Sequence, residues 1–142
     1  MSVERATEAS DELVDGFRRL IPQLSRTAAP PTPAELEELL AGNTLLFVSR
    51  DSSGTLNGAL SLVLYRIPTG LRGRVEDVVV DESARGQGVG EALVRAALAA
   101  AAEAGARSVG LTSAPEREAA NRLYRRLGFE QRATNVYVWR PG

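Results

Sequence analysis

Apolar residues in the first part of the chain recur at the spacing of one helical face. Leu13, Phe17, Leu20 and Leu24 lie at i, i+4, i+7 and i+11, which predicts an amphipathic helix over residues 10–24 that Pro22 distorts or ends. Residues 25–33 (SRTAAPPTP) cannot extend it, because proline removes backbone donors and restricts the residue before it. A second helix then has its own start and stop: Thr32 at the cap, Pro33 at the first position, Glu35 at the third, and Gly42 after Ala41. From Asn43 the pattern is that of strands. Residues 44–49 and 55–66 flank the polar turn Asp51-Ser52-Ser53-Gly54 and predict an antiparallel hairpin. A loop over residues 68–73 leads to the β-branched run of residues 74–80 (RVEDVVV), a third strand placed centrally. After a Gly-rich segment, an Ala- and Leu-rich helix runs to about Ala104 and stops at Gly105. The short strand 107–112 follows strand and helix, so a right-handed crossover sets it parallel to residues 75–80. Ser113 to Glu116 reads as a capping box opening a last helix that ends at Leu127 before Gly128, and residues 129–132 and 135–140 predict two final strands. The order of elements implies one α+β domain over residues 1–142 with a mixed sheet.

Composition narrows the chemistry. The chain has no Cys and no His, and all 17 of its basic residues are Arg. That excludes a disulfide framework, a thiol nucleophile, a Ser-His-Asp triad, an imidazole-rich zinc site, Schiff-base catalysis and a phosphate loop ending in Gly-Lys. No metal ligand set is expected. The net charge of −1, with both signs mixed along the chain, gives no sign of a nucleic-acid-binding tail or a membrane-surface helix. No stretch is apolar enough to span a bilayer, and the N-terminal residues are polar where a secretory signal needs an apolar run, so a cytoplasmic place is expected.

The segment Arg85-Gly86-Gln87-Gly88-Val89-Gly90 lies between a strand and the start of a helix. Three glycines let backbone approach a ligand closely, and the free amides of the helix start converge there with the positive end of its dipole. This combination suits an anion. A dinucleotide fingerprint would need Gly where the chain has Glu91.

The segment resembles the pyrophosphate signature of the GNAT acyltransferases: Arg or Gln, two residues, Gly, one residue, then Gly or Ala. Arg85, Gly88 and Gly90 occupy its fixed positions. Residues 75–80 are similar to the family's fourth strand, and Asn121-Arg122-Leu123-Tyr124 followed by Leu127-Gly128-Phe129 is similar to its last helix and turn. The resemblance extends from about Asn43 to Tyr137. It implies a single domain with a mixed, mostly antiparallel central sheet, about four flanking helices and a splayed parallel strand pair. It also implies acetyl-CoA as co-substrate and transfer of the acetyl group to a primary amine by direct attack in a ternary complex. A non-catalytic domain that binds or senses acyl-CoA is the alternative.

By the same resemblance, Val78, Val79 and Val80 hold the pantetheine arm of coenzyme A through main-chain groups. Amides of Arg85, Gly86, Gln87, Gly88, Val89 and Gly90 hold the pyrophosphate, Asn121 contacts the cofactor, and the Tyr124 hydroxyl protonates the leaving thiolate. A phenol suits that step because it stays protonated at neutral pH. The amine must lose a proton, and without His the candidates are Glu76, which is preferred, Asp77 or ordered water. The identity of the amine has no recognisable signal, and the terminal strands offer a route to a homodimer.

Overall fold

The computed structural model describes residues 1–142 and divides the chain into two compact units, residues Met1–Leu111 and Thr112–Gly142. The first carries a five-stranded sheet in the order β1 (Ser2–Ala6), β2 (Thr44–Arg50), β3 (Leu56–Ile67), β4 (Gly70–Val80) and β5 (Val109–Gly110). Neighbouring strands run antiparallel except β4 and β5, which are parallel. The helices are α1 (Asp11–Leu24), α2 (Pro33–Ala41) and α3 (Val89–Ala104), with a short 3-10 turn at Glu82–Ala84; α4 (Glu118–Arg126) lies in the second unit. No helix is long and apolar enough to cross a membrane.

Local signals set the helix ends. Ser10 caps α1, its Oγ accepting from the Leu13 amide at 3.2 Å, and Pro22 is carried inside the helix rather than ending it. At α2 the capping box closes both ways: Thr32 Oγ1 accepts from the Glu35 amide (3.1 Å) and Glu35 accepts from the Thr32 amide (2.9 Å). Gly105, in the left-handed region, ends α3.

The apolar stripes of α1 and α2 pack on one sheet face, where Leu13, Phe17, Leu20 and Leu36 bury themselves against Leu46, Val48, Leu56 and Val79. Strand alternation sends the remaining side chains to the other face, which α3 covers. There Gly58 lets helix and sheet meet closely: a Cβ at this position would lie 2.6 Å from Ser49 Oγ, 3.0 Å from Val89 and 3.1 Å from Leu93. Ser49 is fully buried and its Oγ donates to Asn57 Oδ1 at 2.6 Å, so it has no slack to yield. Gly58→Ala should therefore destabilise the protein by about 1–3 kcal/mol, as overpacked cores do. Urea unfolding should show a lower midpoint at unchanged slope; an unmoved midpoint would contradict the close packing.

Several expectations are corrected. The polar N-terminus forms β1, antiparallel to β2 with Val3 opposite Ser49, although no strand is predicted there. The loop over residues 68–73 is much shorter, since β3 reaches Ile67 and β4 already starts at Gly70. The strand 107–112 contracts to two residues. Helix α4 starts at Glu118, without the Ser113 capping box, because the Arg117 amide bonds the Ala114 carbonyl (3.1 Å) and closes a turn ahead of the helix. Residues 129–132 and 135–140 are not strands within the second unit.

Candidate active site

Strands β4 and β5 pair only at Gly73 with Val109 and Arg74 with Gly110. The Gly73 amide bonds the Ser108 carbonyl and the Arg107 amide bonds the Leu71 carbonyl, both at 2.9 Å. Beyond Arg74 the outer edge of β4, residues Val75 to Val80, has no strand beside it. This is the expected splayed parallel pair. Free main-chain groups in a row accept an extended, amide-bearing ligand as an added strand, and Val78, Val79 and Val80 lie on that edge.

The edge runs into the Gly-rich loop, whose entrance is fixed from α1. Arg19 donates to Asp81 Oδ2 (2.9 Å) and to the Leu56 carbonyl (2.9 Å), while Gln23 Oε1 accepts from the Glu82 amide (2.9 Å). Asp81 caps the 3-10 turn through the Ser83 amide (3.0 Å); that bond, the Ser83 hydroxyl and Arg19 hold its carboxyl below the usual range. Gly86 (φ 77°) and Gly88 (φ 81°) are left-handed, and a Cβ on either would meet nothing within 4 Å. The space above them is open and the backbone faces it. Gly88 is the N-cap of α3 and supplies no side chain; the first helical bond runs from the Ala92 amide to its carbonyl (3.1 Å). The amides of Val89 and Gly90, in the first turn of α3, have no partner within the helix, as at any helix start. Arg85 and Gln87 fold back onto the carbonyls of Val80 (3.4 Å) and Ser83 (3.3 Å). Together these groups fit a pyrophosphate, which asks for clustered amides and a helix dipole rather than a cationic side chain.

Between edge and loop, β4 bulges. Its pairing with β3 passes from Val79 opposite Ala59 to Glu76 opposite Ser61, so Asp77 and Val78 together face Leu60. Asp77 takes φ 50°, the one non-glycine residue with positive φ. A regular strand would send Glu76 and Asp77 to opposite faces; the bulge breaks that alternation. The two carboxylates differ in their surroundings. Glu76 is bonded to Arg74 Nε at 2.6 Å, whereas partial burial, and then the neighbouring Glu76 charge, push the Asp77 carboxyl above the usual range. The sequence preference for Glu76 rests on the family resemblance, and nothing local in the sequence marks the bulge at Asp77.

Asn121 and Tyr124 belong to the second unit. They stand three residues apart on α4, on neighbouring positions of one face. Asn121 Nδ2 donates to the Ala114 carbonyl at 3.0 Å, which ties α4 to the turn before it. Tyr124 is half-buried, its ring edge-on to Phe129 with centroids 5.7 Å apart. Burial raises the phenol above its ordinary value, with Arg117 opposing in part, so the hydroxyl remains protonated at neutral pH.

An open strand edge thus leads into a glycine turn at a helix start on a mixed sheet, and the comparisons give the family that carries it. The sequence model of the acetyltransferase (GNAT) family matches residues 11–129. Glucosamine 6-phosphate N-acetyltransferase 1 of Oryza sativa subsp. japonica is 36% identical over 142 residues, covering 90% of this chain and 83% of its own. Among solved structures, an acetyltransferase of Trypanosoma brucei superposes with a TM-score of 0.79 at 26% identity, covering 96% of this chain and 97% of the other. Glucosamine-6-phosphate N-acetyltransferase of Arabidopsis thaliana gives 0.80 at 23% identity, covering 98% and 99%. The chain belongs to the GNAT family and is an acetyltransferase.

Proposed function

We propose that the enzyme transfers the acetyl group of acetyl-CoA to a primary amine by direct attack within a ternary complex, and that a phosphorylated amino sugar is the first acceptor to test. The observation that carries this is the unpaired β4 edge ending in the Gly86–Gly88 turn at the start of α3. Acetyl-CoA, when bound, supplies the acetyl group as a thioester. Main-chain groups of Val78, Val79 and Val80 hold its extended arm, and the amides of Arg85 to Gly90 hold its pyrophosphate. Direct attack is favoured because the chain has no cysteine to carry an acetyl group. Asp77 takes the ammonium proton: its raised proton affinity supports this role over Glu76, which is engaged by Arg74. Tyr124 returns a proton to the departing thiolate, and Asn121 keeps the turn before α4 in place for cofactor contact. The acceptor class rests on the named activity of the rice relative.

Coenzyme A release measured with glucosamine 6-phosphate and a panel of other amines tests the proposal; failure to bind acetyl-CoA, with no release for any amine, would end it. Gly88→Val offers a sharper check. Valine pays the cost of a left-handed φ, about 1–2 kcal/mol, and projects into the space open to the pyrophosphate. KM for acetyl-CoA should rise by about tenfold or more, the equivalent of roughly 1.4 kcal/mol or above, and an unchanged KM would show that the loop does not hold the cofactor.

A further inference from the structure

The glycine loop takes its shape from side chains that the signature Arg85–Gly90 does not contain. The amides leading into it are all engaged: Glu82 donates to Gln23 Oε1 (2.9 Å), Ser83 to Asp81 Oδ1 (3.0 Å), Ala84 to the Asp81 carbonyl (2.8 Å) and Arg85 to the Glu82 carbonyl (3.5 Å). The backbone left to meet an anion therefore begins at Gly86, above which the space is open. Two of these bonds lead back to α1. Gln23 takes the Glu82 amide directly, while Asp81 holds the Ser83 amide with one carboxylate oxygen and accepts from Arg19 Nη1 at the other (2.9 Å). Arg19 Nη2 also donates to the Leu56 carbonyl (2.9 Å), and the Asp81 amide to the Asn57 carbonyl (2.8 Å), so the start of β3 holds both partners. Gln23 Nε2 donates to the Arg19 carbonyl one turn earlier at 3.2 Å, which ties the two α1 residues together. All these groups lie in the unit Met1–Leu111.

Glycine leaves the loop backbone open to a ligand and also leaves it conformationally free, and that freedom has to be given up when a ligand is held. An anchor on the turn ahead of the loop removes part of this cost before the ligand arrives. Arg19 contributes charge as well: without it, Asp81 is an unpaired carboxylate on the turn that leads to the pyrophosphate, where like charge opposes binding. We propose that Arg19 and Gln23 are positioning residues that preset the anion loop, acting through Asp81 and the Glu82 amide, so that affinity for coenzyme A is set from α1. This role rests on the acetyl-CoA site proposed above and extends it to residues far from the signature in sequence.

Titration calorimetry with coenzyme A on the full chain tests this, together with kcat and KM for acetyl-CoA using an amine that the wild type acetylates. Arg19→Ala should weaken coenzyme A binding and raise KM by about tenfold, as loss of a charge-assisted hydrogen bond does, and Gln23→Ala, losing a neutral one, by about threefold. At saturating acetyl-CoA kcat should be unchanged, because contacts to the pyrophosphate are the same in the ground and transition states. Arg19→Lys keeps a charge opposite Asp81 and should recover most of the affinity. Two controls separate positioning from general effects. Arg18→Ala removes the same charge from α1, where it bonds the exposed Asp15 (3.1 Å), and should bind coenzyme A as the wild type does. Arg50→Ala breaks contacts to Glu4, Glu12 and the Gly54 carbonyl, and should lower the urea midpoint with affinity unchanged. Wild-type affinity in Arg19→Ala would overturn the role of α1 and leave the cofactor site standing. So would an equal loss in either control, or no recovery in Arg19→Lys. If Arg19→Ala does not fold, wild-type affinity in Gln23→Ala is the overturning result. A wild type that does not bind coenzyme A would end the reading of the site itself.

Discussion

Tyr124→Phe is expected to lower kcat for acetyl transfer by about 100-fold, the low end of what a positioned general acid contributes, while binding of acetyl-CoA changes little. The substitution removes one oxygen and keeps the ring that stacks edge-on against Phe129, so α4 and the following turn retain their packing. The pH profile separates proton donation from packing. Burial raises the phenol above its ordinary value of about 10, so it is protonated throughout the neutral range and loses its proton only when pH passes that raised value. Wild-type kcat should accordingly fall on the far alkaline side, and the Phe variant should lack that limb. A variant with wild-type kcat would assign Tyr124 to packing alone.

Asp77→Asn is expected to lower kcat by about 100-fold or more, again within the range of general acid–base catalysis, whereas Glu76→Gln should change it only a few-fold. Both variants keep the shape of the side chain, and Asn tolerates the left-handed backbone of the bulge at least as well as Asp. The sign of the pH effect follows from the raised carboxyl. As a base Asp77 works when deprotonated, so wild-type kcat should climb as pH rises through its elevated value and the Asn variant should lose that rise. Stability should move the other way. A carboxyl that binds its proton more tightly folded than unfolded favours the fold at pH below its unfolded value, and that advantage disappears as pH rises through the folded one. At neutral pH the ionised Asp77 is therefore a burden, and Asp77→Asn should be the more stable protein there while being the poorer enzyme. Equal losses for Glu76→Gln and Asp77→Asn would instead point to a shared electrostatic role for the pair.

The pattern along the chain was informative wherever the deciding interactions are local. Ser10, and Thr32 with Glu35, satisfy amides three residues away, so the starts of α1 and α2 are written in four-residue windows. Gly105 and Gly128 mark helix stops because the chain turns there at positive φ, which suits glycine, whereas Gly42 ends α2 at a negative φ. The glycine loop is equally legible: Gly86 and Gly88 take positive φ, which follows from their own lack of a Cβ. At Ser113 a local signal misled, since a turn closed by Ala114 and Arg117 displaced the capping box.

What the chain pattern could not settle depends on partners far away in sequence. Strand β1, with charged residues at Glu4 and Arg5, is held by its ladder to β2 some forty residues on, not by its own apolar content. The bulge that distinguishes Asp77 from Glu76 exists only in the register of β4 against β3, and two adjacent carboxylates in a β-branched run look alike until that register is known. The shortness of β5 is likewise a matter of which residues of β4 it meets. Residue types by themselves determined the helices, the anion-binding turn and the inventory of Arg, carboxylates and tyrosine from which the chemistry is drawn, because each rests on one residue or one turn of backbone. The tertiary structure decided the open edge of β4 and the strained carboxylate beside it, because both arise from hydrogen bonds between segments that approach only when the chain is folded.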